Sequence, residues 1–245
     1  MTPIAAVQAH ELRKSYPTPG GEPIEILHGV TCAIEAGGMT ALVGPSGSGK
    51  STALLCLAGL EPATSGRVTL MGRDLGALPP ARVAELYRDR VGFVFQAYNL
   101  VPYLSVRENL TISDTLAGRR PDRARVRQVL AGLGLEARAD AVTTTLSGGE
   151  QQRVALGRVL YRRPPVVFAD EPTGALDTRS ASFVLAELRG LADAGAAVVL
   201  VTHDLGAAAL AETVLIMRDG VIIGRRRGVG PDELLAVVNQ TGAES

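Results

Sequence analysis

The 245-residue chain is 46% apolar and 20% charged, and its 25 Lys+Arg balance 25 Asp+Glu. That much apolar material builds a sizeable core, in one large domain or one domain with an inserted lobe, while a neutral chain has no bulk attraction for nucleic acid or anionic lipid. No apolar run approaches the ~18 residues that cross a bilayer, and the N-terminus lacks the basic-then-apolar pattern of a signal peptide, so the chain is expected to form no membrane path by itself.

In chain order, residues 4–43 read as strands and turns. Pro17-Thr18-Pro19-Gly20-Gly21 and Ala36-Gly37-Gly38 supply the turns, and Met39–Val43 is a short apolar strand. A glycine-rich loop follows, then a helical stretch over 50–60. Val68–Gly72 and Val91–Phe95 read as further strands. Cys32 and Cys56 sit in apolar surroundings, too far apart in sequence for a metal pair, and read as small buried hydrophobes of a reducing compartment. Between 97 and 163 the character turns helical. Val126, Val129, Leu130 and Leu133 form one stripe, and a second helix is predicted from Ser147 to just before Pro164-Pro165. Val166–Ala169 is a buried strand, 178–194 a helix with Val184, Leu188 and Leu191 on one face, and Ala197–Val201 the next strand. Val214–Ile223 predicts a hairpin turning at Asp219-Gly220, and the tail from Pro231 holds a short amphipathic helix. Strands alternating with helices predict an α/β core.

Two segments carry chemistry on their own residues. Gly44-Pro45-Ser46-Gly47-Ser48-Gly49-Lys50-Ser51 meets every defined position of G-x-x-x-x-G-K-[ST], with a strand before it and a helix after it. Its glycines let backbone N–H groups turn inward onto phosphate oxygens, and the helix adds its positive end. Lys50 then reaches the β- and γ-phosphates and the Ser51 hydroxyl serves Mg²⁺; Thr52 is grouped with the loop as nucleotide-binding. The second segment is the apolar strand ending in Asp170-Glu171. Asp170 is placed to hold Mg²⁺, and Glu171 to polarise the attacking water. These features define a phosphate-loop NTPase and leave its class open.

Ser147-Gly148-Gly149, leading into Glu150-Gln151-Gln152-Arg153, is another anion-binding helix start. One ATP has no need of two such sites from one chain, so this loop is expected to cap an ATP held by a second copy. With Gln152-Arg153 it resembles the signature of ABC ATPases, and the resemblance covers nearly the whole chain. It implies the ABC ATPase fold: a mixed sheet core with N-terminal antiparallel strands in 1–96 and 164–230, an inserted helical lobe over 97–163, and a tail over 231–245. It also implies that Tyr16 stacks on adenine and that Gln96 links Mg²⁺ and water to a membrane partner. Asp177 then contacts the opposite subunit, and His203 the γ-phosphate. The implied protein binds ATP and Mg²⁺ and pairs head-to-tail with a second copy. It lies peripherally on the cytoplasmic face of the plasma membrane and energises a transmembrane permease docked near 96–104, where Tyr98, Leu100, Val101, Pro102, Tyr103 and Leu104 form an apolar run. Val94–Pro102 and Asp170–Gly174 resemble the lipoprotein-release, macrolide-export and cell-division subgroup, although Ala175 stands where that subgroup carries asparagine. A chromosome or repair ATPase would need a long coiled-coil or zinc-bearing insertion before the signature, and a translation-associated cassette would carry two cassettes; the chain has neither.

Overall fold

The structure, a computed structural model, describes residues 5–174 and 176–240, so Ala175 lies outside the described residues. Two sheets organise it. The first is antiparallel and contains the long pair β1 (Ala5–Tyr16) and β2 (Ile24–Glu35) with β4 (Ser65–Leu70) and β5 (Arg73–Asp74), in the order β2-β1-β4-β5. The second contains β3 (Gly38–Val43), β6 (Val91–Phe95), β7 (Val166–Asp170), β8 (Ala197–Val201), β9 (Thr213–Arg218) and β10 (Val221–Arg227), in the order β10-β9-β3-β8-β7-β6. Its pairings are parallel except the β9–β10 hairpin.

The parallel strands are near-continuous apolar runs because both of their faces are covered. Alternation along each strand sorts the side chains into two cores. Leu42, Phe168, Val199 and Met217 point toward the antiparallel sheet and α1 (Lys50–Ala58), where they meet Leu27, Val30, Leu54 and Leu57. Ala41, Val167, Val198 and Leu200 point the other way. There they join Leu110, Leu130, Leu156 and Leu188, the apolar faces of α3 (Val106–Leu116), α4 (Arg123–Gly132), α5 (Gly148–Arg162) and α6 (Thr178–Asp193). One apolar cluster therefore runs without a break from the sheet into the helices of 97–163.

The sequence reading departs from the structure in three places. The strand expected over 68–72 ends at Leu70, because Met71 (φ 49°) and Gly72 (φ 74°) make a two-residue turn into β5. An additional helix, α2 (Pro80–Arg90), begins with proline at its first position, where the missing N–H is no loss. The run 98–104 also divides: Leu100 packs against the larger core, while Tyr103 is 88% exposed. The Asp219-Gly220 turn falls where expected, with both residues at positive φ. The chain closes with a short helix α7 (Leu205–Ala208) before β9 and with α8 (Pro231–Gln240). Among the described residues no helix is long and apolar enough to cross a membrane.

Candidate active site

The loop from β3 to α1 turns tightly under Met217. Gly44 has φ 155°, and a Cβ there would fall 2.0 Å from the Met217 carbonyl oxygen, so no other residue fits. Gly49, at φ 92°, is the N-cap of α1 and offers no side chain to its first turn. The leading amides of α1, including those of Lys50, Ser51 and Thr52, thus have neither an intrahelical acceptor nor a capping side chain. Ser48 Oγ is buried without a protein partner. Pro45, Ser46 and Gly47 are exposed on the outer side of the loop. The result is a cradle of donors facing outward, suited to an anion.

Lys50 is buried, and its ammonium donates to the carbonyls of Gly44 (3.0 Å) and Pro45 (2.9 Å). Burial pulls its pKa down, against the raising influence of Glu171 and Asp170. Ser51 Oγ donates to Asp170 Oδ1 at 3.1 Å, joining the start of α1 to the end of β7. Burial, with the nearby Glu171, raises the Asp170 carboxyl, and that hydrogen bond offsets only part of the rise. A hydroxyl and a carboxylate side by side form an all-oxygen donor set suited to a small hard cation. Among the described residues no group of three or more His, Cys, Asp and Glu gathers around a metal position. A cation held here would complete its shell with substrate oxygens and water, as Mg²⁺ commonly does.

Glu171 sits at φ 44°, an uncommon backbone state for this residue. Its N–H bonds the Val201 carbonyl, and its own carbonyl accepts from Gly174 N, so the turn is held at both ends. Glu171 Oε1 lies 2.9 Å from His203 Nδ1 just beyond β8, while Oε2 is buried with no protein partner. Gln96 follows β6 with its N–H on the Asp170 carbonyl, and its amide lies over Gly174. Tyr16 ends β1.

The remaining candidates stand apart from this group. Ser147 caps α5 and is occupied in a reciprocal box: its Oγ accepts from Glu150 N (3.3 Å), and Glu150 Oε2 accepts from Ser147 N (2.9 Å) and Oγ (2.9 Å). Gly148 faces the Tyr98 hydroxyl, and Gly149 the Ser180 hydroxyl. Asp177 caps α6, accepting from Ser180 N at 2.9 Å, and that backbone bond, with the Ser180 hydroxyl, lowers its pKa.

Several supports escape sequence reasoning. Gln152, fully buried, donates to the Pro172 carbonyl at 2.6 Å and ties α5 to the turn carrying Glu171. Asn109 is buried and binds the backbone of Val101, Leu104 and Ser105, and Arg158 bridges Asn109 Oδ1 and the Asn99 carbonyl. Gln152 stands in the signature segment, but its tie to Pro172, like the roles of Asn109 and Arg158, shows only in the contacts of the folded chain.

A family model described as ABC transporter matches residues 27–174. Among curated proteins, the macrolide export ATP-binding/permease protein MacB of Shigella flexneri is 44% identical over 225 residues, covering 91% of this chain. MacB of Escherichia coli K12 is 43% identical over the same length. The chain spans about a third of those relatives, 34% of each. Among solved structures, the dimeric post-hydrolysis state of the ATP-binding cassette MJ0796 bound to ADP and Pi superposes with a TM-score of 0.84 at 34% identity, over 91% of this chain and 99% of that one. CbiO1 from Clostridium perfringens, part of the ABC transporter complex cbiONQ, gives 0.77 at 26% identity, over 98% and 95%.

Proposed function

This chain belongs to the ABC transporter family as an ATP-hydrolysing cassette, and from that premise we propose how its residues divide the work. The observation that carries the reading is the pair of contacts at the mouth of an uncapped helix, Ser51 to Asp170 and Glu171 to His203. The residues Gly44–Thr52 bind the triphosphate by backbone N–H groups. Lys50 exchanges the carbonyls of Gly44 and Pro45 for phosphate oxygens, which removes much of the disadvantage of burying its charge. Ser51, Asp170 and Gln96 would hold Mg²⁺, which would neutralise phosphate charge. Glu171 draws a proton from the attacking water, and His203, 2.9 Å from Glu171 Oε1, meets the γ-phosphate. Tyr16 stacks on adenine.

Ser147-Gly148-Gly149 and Asp177 complete the site of a second copy in a head-to-tail dimer with two-fold symmetry. MJ0796, a similar cassette, is dimeric. The whole assembly serves a transmembrane permease and sits on the cytoplasmic face of the membrane; MacB, whose name joins ATP-binding and permease functions, supports an export role. The permease docks beside 96–104. There Tyr103 is exposed, and Val101 helps line a cleft of about 360 Å³ with Phe93, Leu116, Arg158 and Arg162. Tyr103→Arg is expected to keep nucleotide binding and lose co-purification with the permease; retained co-purification moves the contact elsewhere.

Glu171→Gln tests the central claim. It preserves shape and removes the base, so turnover should fall ~10²–10⁴-fold while ATP still binds and a dimer accumulates. Turnover at the wild-type rate removes Glu171 from the role of base.

A further inference from the structure

The chain has only two lysines, Lys14 and Lys50, and both are buried. Lys50 belongs to the phosphate loop. Lys14 lies two residues before Tyr16 on β1, so the two side chains share a face of the strand. The Lys14 side chain is 9% exposed. Its ammonium donates to Glu61 Oε1 and to the Pro62 carbonyl (2.8 Å), and it stands 4.7 Å from the centroid of the Tyr16 ring. Its hydrogen-bond partners lie just past the end of α1, the helix that begins in the phosphate loop. Thr64 fastens the same junction. Its N–H bonds the Arg13 carbonyl (2.9 Å), and its Oγ1 accepts from Ser15 N (2.9 Å). The end of β1 therefore hangs on the segment leaving α1, and one face of the Tyr16 ring is held against a cation.

We propose that Lys14 is a positioning residue for the nucleotide base: it grips one face of Tyr16 and sets the other at a fixed place relative to the phosphate loop, ready for adenine. The proposal rests on the reading of Tyr16 as the base platform. A ring already fixed by a cation loses less freedom when a base stacks on it. The hydrogen bond to Glu61 raises the Lys14 pKa and keeps the side chain charged. Apart from Lys14 and Lys50 the chain uses arginine where it could use lysine; here the compact ammonium fits between a carboxylate, a carbonyl and a ring.

The test is calorimetric titration with ADP, which offers a base, and with inorganic tripolyphosphate, which offers none. The chains are wild type, Lys14→Met, Tyr16→Ala and the double variant. Lys14→Met should weaken ADP about three- to tenfold, leave tripolyphosphate unchanged, and add nothing once Tyr16 is alanine. Equal weakening of both ligands means that Lys14 acts through α1 and overturns the proposal. Weakening that persists in the Tyr16→Ala background overturns it too. If Tyr16→Ala itself leaves ADP binding intact, the base-platform reading fails and takes the proposal with it. If Tyr16→Ala weakens ADP and Lys14→Met does not, the proposal alone fails. Should Lys14→Met reduce the folded yield, Glu61→Gln loosens the ammonium without emptying the core. The same selective loss, smaller in size, is expected there, and an unselective loss or none overturns the proposal.

Discussion

The starts of α1 and α5 face the same physical need and meet it in opposite ways. Each helix opens with amides that lack intrahelical acceptors. At α1 the N-cap is Gly49, the first turn has no acidic residue, and the donors are left for a ligand. At α5 the N-cap is Ser147, which closes a reciprocal box with Glu150. The first is an incomplete structure awaiting phosphate. The second is already satisfied within the chain, so its helix forms without a ligand and presents Gly148 and Gly149 as a firm surface. The difference accords with the proposed assembly, in which ATP is recruited by the open start of one copy and covered by the closed start of another.

The largest effect comes from separating the two starts onto different chains. Lys50→Ala disables the open start, and Gly149→Asp places a carboxylate on the closed one. A Cβ at Gly149 meets only the Ser180 hydroxyl at 3.5 Å and an Arg153 nitrogen at 3.8 Å, so that variant is expected to fold. Alone, each variant should lose ATPase activity. Mixed, they should regain one working site per mixed dimer, at about half of wild-type activity for that species if the two sites act independently. Steady-state hydrolysis across mixing ratios measures this. If mixing restores nothing beyond the sum of the parts, the starts do not meet across copies.

A smaller effect separates the two by their glycines. At Gly44 a Cβ would strike backbone, the Met217 carbonyl, which cannot yield cheaply. Gly44→Ala should therefore destabilise the chain by more than ~2 kcal/mol, in the range of forced backbone strain and overpacking. At Gly148 a Cβ would meet the Tyr98 hydroxyl at 2.8 Å, the far end of a movable side chain. Gly148→Ala should change stability by less than ~1 kcal/mol. Chemical denaturation of both variants checks the contrast, and equal destabilisation would refute it.

The open start is legible in the sequence because one unbroken stretch, Gly44–Ser51, supplies the whole cradle, and the acidic strand end reads equally well beside it. Buried parallel strands are legible for a related reason: coverage on both faces leaves continuous apolar runs such as Val166–Ala169. The helix α2 is harder to read, since its apolar stripe is only Val83, Leu86 and Tyr87, and Leu86 alone is buried. Met71 reads as strand because its apolar side chain suggests β structure, whereas the turn uses its backbone at positive φ. The contacts of Lys14, Gln152, Asn109 and Arg158 escape for another reason, although Gln152 itself stands in the signature segment. Lys14, Gln152 and Arg158 work through partners distant in sequence, at Glu61, Pro172 and Asn99, which only the folded chain brings near, and Asn109 folds back onto the loop just before its own helix, at Val101.

The smallest effect, and the sharpest on the comparison, is the pH dependence of the closed start. The Ser147 backbone N–H, followed by its hydroxyl, holds the Glu150 carboxyl below its ordinary value of 4.5. A carboxyl depressed in the folded state contributes stability that is fully present above its unfolded pKa and is lost as pH falls through the folded one. The stability difference between wild type and Glu150→Gln should thus hold steady above pH 4.5 and shrink below it. Ser147→Ala should cost about 1 kcal/mol at neutral pH, the usual worth of a serine cap. Part of that loss should persist in acid, because Ser147 Oγ also accepts from the Glu150 amide whatever the charge of the carboxyl. Urea denaturation of the three chains between pH 3.5 and 7 measures both terms. No corresponding step is expected from α1, whose first turn has neither a capping side chain nor an acidic residue. A wild-type to Glu150→Gln difference that stays constant with pH would show that the box does not depend on the carboxylate charge, and that the two helix starts differ in geometry alone.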